Sequence, residues 1–314
     1  MANVLIEENT LSAIGNAIRA KTGKTDLILP SDMATEIAKI TGGGGDSSEL
    51  YWKEDISFPT CQKQSMCPFV FEGKWYVILY IYNSSTKIYE GKVYLRVGDT
   101  FEYVCDYGGG VDLFYAYGIV EYNGKVHFIG GSGKSHFTWD GINEWKTLNS
   151  LPYSSDGDCI VFNGGLYITC SSSGKIAKYI ENDDSWEIVS TSPKTMGHNK
   201  LFEYNSKLFA SSYDFKYLYE ITADGAIETN EIDFTSLTFR TNTVDLFNVG
   251  GKLFALYNRK NGCAVYQNGE WAILPNTPTY DALSKPFFIF NNKVYMMRFS
   301  NSNDKERIFY LRGI

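Results

Sequence analysis

The sequence predicts a mainly β chain in which six copies of one four-stranded sheet close into a ring behind a small two-helix module. Three observations carry this: a short Asn/Gly-rich hairpin that recurs six times, a Trp-bearing strand that recurs in register with it, and an abrupt change of pattern near residue 42. The composition agrees, because 23 Tyr, 20 Phe and 6 Trp with 29 Gly against 8 Pro in 314 residues favour strands joined by tight turns. A net charge of −7 argues against a general nucleic-acid binder, so any anion site has to be local. No apolar run reaches the roughly 18 residues of a membrane span. The N-terminus also lacks a basic start followed by an apolar stretch, so neither membrane insertion nor a secretory leader is expected, and synthesis in the cytoplasm is. The six cysteines form no C-x-x-C pair and read as reduced, buried thiols; no metal site and no cofactor is expected.

Residues 1–41 carry the helical signals. Thr10 is placed to cap a helix whose apolar positions are Leu11, Ile14 and Ile18, with Gly23 as its stop. Pro30 and Ser31 open a second, with Met33, Ile37 and Ile40 on one face. Two such helices bury little, and a unit of this size sits at or below what folds alone. Their six apolar residues are therefore candidate attachment contacts to a larger particle or to copies of themselves; the alternative is that they pack on the rest of the chain. Gly42-Gly43-Gly44-Gly45-Asp46-Ser47-Ser48 reads as flexible coil, which sets the domains as 1–41, a linker 42–49, and 50–314.

From residue 50 the hairpins run Phe71-Glu72-Gly73-Lys74-Trp75, Tyr122-Asn123-Gly124-Lys125-Val126, Phe162-Asn163-Gly164-Gly165-Leu166, Tyr204-Asn205-Ser206-Lys207-Leu208, Val249-Gly250-Gly251-Lys252-Leu253 and Phe290-Asn291-Asn292-Lys293-Val294. Their ends are separated by 51, 40, 42, 45 and 41 residues, the length of a four-stranded propeller blade. Asn-Gly and its relatives supply the positive φ of a two-residue β-turn, so each copy marks the turn between first and second strands. Trp145, Trp186 and Trp271, leading to Pro152, Pro193 and Pro278, mark outer fourth strands. The copy at Trp52 precedes the first hairpin, whereas the last hairpin is followed by only one further strand, Arg307 to Leu311. Pairing the N-terminal strand with that last blade closes a six-bladed ring without a mismatched edge.

The run Gly124-Lys125-Val126-His127-Phe128-Ile129-Gly130-Gly131, continuing to Trp139, Trp145 and Leu151-Pro152, resembles a Kelch repeat. The other copies lack its Gly-Gly doublet, so the ring reads as divergent and Kelch-like, and the resemblance implies fold far more than activity. Ala17-Ile18-Arg19-Ala20-Lys21-Thr22-Gly23-Lys24-Thr25-Asp26, then Leu29-Pro30-Ser31-Asp32-Met33-Ala34 and the Gly run, resembles a segment of tail and baseplate proteins of phages that infect Gram-positive bacteria and of phage-tail-like bacteriocins. That resemblance implies docking of residues 1–41 on tail or baseplate proteins, residence in a virion tail or tail-like particle, and several copies per particle.

Antiparallel blades put the short turns on one face and the longer loops on the other. The loops between second and third strands end near Lys87, Lys134, Lys175, Lys216, Lys260 and Lys305, which pseudo-symmetry would arrange as a ring able to attract an anionic polymer. The alternative is that these lysines only solubilise polar loops. Tyr82, Tyr213, Phe215 and Tyr257 add flat faces for sugar rings or cations, or else cover the ends of the core, and His136 at the end of the loop from Gly131 is counted with the ligand-binding residues. Asp112, Asp156, Asp158, Asp245, Asp281 and His198 fall near the channel mouth, where carboxylates could bind calcium, cleave glycosides or simply cap turns. No H-E-x-x-H, phosphate loop, G-x-S-x-G elbow or sialidase-type Asp box is present. The expectation is a non-enzymatic adhesin for a host surface polysaccharide or protein, with a glycan-degrading tail enzyme and a purely structural baseplate part as alternatives.

Overall fold

The computed structural model describes residues 50–57, 65–83, 85, 88–108, 118–130, 133–142, 144–154, 158–170, 174–191, 200–212, 215–237, 243–257, 262–274, 277, 287–298 and 307–312. The helical module and linker expected over 1–49, with Leu11, Ile14, Ile18, Met33, Ile37 and Ile40, lie outside them. The described unit is a six-bladed β-propeller, and its first strand, β1 (Tyr51–Ser57), belongs to the last blade.

Blade 1 is β2 (Ser65–Phe71), β3 (Lys74–Asn83), β4 (Ile88–Val97) and β5 (Thr100–Asp106). Blade 2 is β6 (Gly118–Tyr122), β7 (Lys125–Gly130), β8 (Ser135–Trp139) and β9 (Trp145–Thr147). Blade 3 is β10 (Cys159–Phe162), β11 (Gly165–Cys170), β12 (Lys175–Ile180) and β13 (Ser185–Thr191). Blade 4 is β14 (Lys200–Tyr204), β15 (Lys207–Ser211), β16 (Leu218–Thr222) and β17 (Gly225–Thr229). Blade 5 is β18 (Thr243–Val249), β19 (Lys252–Tyr257), β20 (Gly262–Gln267) and β21 (Glu270–Leu274). Blade 6 joins β22 (Phe287–Phe290), β23 (Lys293–Arg298) and β24 (Arg307–Arg312) to β1, which runs antiparallel to β24 with Tyr51 opposite Arg312 and Trp52 opposite Leu311.

Each first hairpin turns on two residues of positive φ. The pairs are Glu72 and Gly73, Asn123 and Gly124, Asn163 and Gly164, Asn205 and Ser206, Gly250 and Gly251, and Asn291 and Asn292, with φ between 46° and 76°. This is the type I′ turn, whose twist matches that of the flanking strands. Glu72 and Ser206 adopt the same left-handed φ without a favourable side chain, so register with the blade overrides local preference there. The longer first repeat has a simple cause: β3 and β4 are ten residues each and pair as far as Asn83 with Ile88, so strand replaces part of the expected loop.

Closure is visible in the core. A stack of six blades has five interfaces, and a ring has six. Among the described residues six apolar clusters form, one between each neighbouring pair. Between blades 1 and 2, Phe69 meets Trp139 edge-on at 5.8 Å. Ile129 packs with Ile168 between blades 2 and 3, and Ile176 with Leu208 between blades 3 and 4. Phe202 and Phe209 meet Leu253 and Trp271 between blades 4 and 5, and Leu256 meets Met296 between blades 5 and 6. The sixth interface closes the ring, with Trp75 of blade 1 lying 4.8 Å from Tyr295 of blade 6. Four of the five described cysteines are buried.

Candidate functional site

The antiparallel order gathers the loops between second and third strands, and the links between blades, on one rim of the ring. On the seam of blades 2 and 3 that rim is built in detail. Beyond β9 the chain continues along β8: Leu148 donates its N–H to the His136 carbonyl at 2.9 Å, and Leu151 to the Lys134 carbonyl at 2.8 Å. This seats buried Leu151 in the core between the two blades and delivers Pro152 and Tyr153 to the rim. Lys134, in the turn before β8, donates from Nζ to the Pro152 carbonyl at 2.8 Å. Lys175, the first residue of β12, donates to the Tyr153 hydroxyl, and its Nζ stands 4.0 Å from the centre of that ring. Beneath them lies Cys170, whose thiol burial pushes up to about 11 while the Lys175 and Lys134 charges act in the opposite direction. Two lysines from different blades thus converge on one dipeptide of the link between those blades, and among the described residues neither contacts a carboxylate.

Lys216 is exposed on blade 4, in a short loop tied by Ser212, which accepts the Tyr217 N–H on Oγ at 3.0 Å and the Phe215 N–H on its carbonyl at 3.0 Å. Phe215 itself is a correction to the expected rim aromatic. It is only 4 % exposed and packs 5.0 Å from Phe234 in the core between blades 4 and 5. Its left-handed backbone, φ 52°, turns the ring inward and leaves Lys216 outward.

His136 is a second correction. It belongs to β8, not to the loop, and strand alternation points it into the blade 2–3 interface, where it is 1 % exposed. There its Nε2 lies 2.8 Å from Nδ1 of His127, the packed strand histidine. Tyr179 and Trp186 lie against the His136 ring at 4.9 and 5.2 Å. Burial holds His127 down at about 4 against the pull of Glu181, and burial with the His127 charge holds His136 at about 3. Both rings are neutral at ordinary pH, and one donates to the other.

At the channel mouth, Asp158, Lys200 and Asp245 occupy equivalent positions, each four residues before the end of its blade's first strand, in three successive blades. Asp158 is 2 % exposed, and its carboxylate lies 3.5 Å from the Lys200 ammonium of the next blade. The pair is a clamp between blades, and it withholds Asp158 from solvent. Asp245, which accepts the Leu246 N–H at 3.0 Å, borders a channel cavity of about 380 Å³ with Pro68, Val70, Glu121 and Ile289. Among the described residues no three His, Cys, Asp or Glu side chains are grouped as metal ligands, and no helix is long and apolar enough to cross a membrane.

Lys87, Tyr213, Lys260, Lys305, Asp156 and His198 lie outside the described residues. Tyr257 ends β19, its backbone opposite Thr243 and Gly262. Sequence reasoning missed Pro152, Tyr153 and Lys200, because their roles depend on partners in neighbouring blades. A comparison with known protein families and with curated proteins finds no match to this chain.

Proposed function

We propose that this chain is a tail or tail-like-particle protein that docks through residues 1–41 and adheres through the propeller rim to an anionic glycan or other receptor on the host surface. The observation that carries the reading is the convergence of Lys134 and Lys175 on the Pro152–Tyr153 link, with no carboxylate contacting either among the described residues, on a chain of net charge −7. The particle role rests on the resemblance of residues 17–34 to tail and baseplate segments. Several copies per particle would turn weak contacts into firm attachment through effective concentration. Adhesion is favoured over glycan cleavage because Asp158, one of the candidate acids, is buried against Lys200. Changing Lys134, Lys175 and Lys216 together to Glu is expected to reduce binding to host cells by at least about a hundredfold and to remove its salt dependence. Unchanged binding by a folded triple variant overturns the rim assignment.

A further inference from the structure

The seam of blades 2 and 3 contains a more specific feature than a positive field. An ammonium carries three N–H donors and a phenol one O–H. Lys134 spends one donor on the Pro152 carbonyl, and Lys175 spends one on the Tyr153 oxygen. Because the phenol oxygen is the acceptor in that bond, its own hydrogen is left to donate outward. Tyr153 is 36 % exposed, so that hydrogen is not sealed in the core. The cluster therefore offers up to five donors from three side chains, carries two positive charges, and presents no carboxylate of its own among the described residues.

The geometry points to Lys134, Lys175 and Tyr153 as a subsite for one phosphate group, in the diester form that a surface polymer would carry. Donors from two blades, held on the adjacent residues Pro152 and Tyr153 of the link between them, suit an oxyanion whose acceptor oxygens spread tetrahedrally, and suit a planar carboxylate less well. Lysine serves here as a point charge, with the phenol fixing direction. The core behind the subsite holds it open: Leu151 anchors the link, and the Lys134 carbonyl is already engaged by the Leu151 N–H, so the lysine backbone does not have to be ordered on binding. The subsite deepens the adhesion reading and rests on it only for the source of the phosphate.

The test is a titration of the full chain, isotopically labelled at lysine, with dimethyl phosphate and, at equal ionic strength, with acetate. The Lys134 and Lys175 side-chain signals are expected to shift together along a single binding curve, with dimethyl phosphate at least about tenfold tighter than acetate. K134Q and K175Q are each expected to weaken phosphate about tenfold, and Y153F about threefold, with an unchanged melting temperature. Equal response to acetate, or shifts spread over all surface lysines, overturns the subsite. So does silence of these two lysines in the wild-type chain, which needs no variant to fold. Phosphate binding here by a chain that fails to bind host cells would sink the adhesion reading and leave the subsite standing. Cell binding without the lysine shifts would do the reverse.

Discussion

A chain that begins at Leu50 is expected to fold and melt cooperatively, whereas one that begins at Phe58 is expected to aggregate and to lose its cooperative transition. The seven residues of β1 are the outer strand of blade 6, and without them β24 is left as an open edge ready to pair with another chain. Leu50 and Leu311, 7 % and 1 % exposed, belong to the core between blades 5 and 6. Removing the first and uncovering the second costs about 3 to 6 kcal/mol at the usual 1.5–3 per large apolar side chain. The deletion also removes Asp55, whose carboxylate holds the Arg96 guanidinium of β4 at 2.6 Å. Arg96 in turn stands 4.5 Å over the Trp75 ring, so the closing seam between blades 6 and 1 loses its polar lock as well as its strand. Thermal melts followed by near-ultraviolet circular dichroism, with sedimentation to detect aggregates, distinguish the two chains. Equal melting would mean that β1 does not close the ring.

The second large effect is acid lability centred on the two buried histidines. In the unfolded chain both titrate near 6.5, while in the folded chain burial holds His127 near 4 and His136 near 3. Their neutral pairing is thus fully available above about pH 6.5. As pH falls below that value the unfolded chain takes up protons that the folded chain refuses, and stability declines. The decline continues until the folded rings themselves protonate near pH 4 and 3. With the slope rising toward about 1.4 kcal/mol per pH unit for each ring, the pair removes about 3 kcal/mol between pH 6.5 and 5. Replacing both with phenylalanine fills the aromatic box and leaves no imidazole unpartnered, so H127F/H136F is expected to keep its urea midpoint nearly level over the same range. Parallel loss in the double variant would place the acid sensitivity elsewhere.

The ring was legible in the sequence because its determinants are local. An Asn-Gly turn requires positive φ wherever it sits, and the outer-strand Trp52, Trp145, Trp186 and Trp271, one or two repeats apart, set the register. Even the borrowed strand could be inferred, since the Trp52 copy has no blade before it and the last blade lacks one strand. Blade 4 shows the limit. Its outer strand β17 carries no Trp, and the space is filled from outside the strand by Phe234, stacked 5.5 Å from Trp271 of blade 5. The two misplaced site residues have different local causes. His136 sits at a loop end that continues as strand, where a single step of alternation decides between rim and core. Phe215 is turned inward by a positive φ that no glycine or asparagine announces. Tyr153 and Pro152 could not be singled out at all, because lysines 19 residues before and 22 residues after Tyr153 meet them only once two blades are side by side.

On the proposed reading, the loop rim, and not the face of tight turns, meets the outside. Hydrogen exchange on the full chain, with and without host wall polysaccharide, tests it most directly. Binding is predicted to slow exchange at the amides of Gly133, Lys134, Tyr153, Lys175 and Lys216 while leaving the polymer's chain length unchanged. Slowed exchange confined to the opposite face, at Asn123, Gly124, Asn163, Gly164, Asn205 and Ser206, would place the receptor on the tight turns instead.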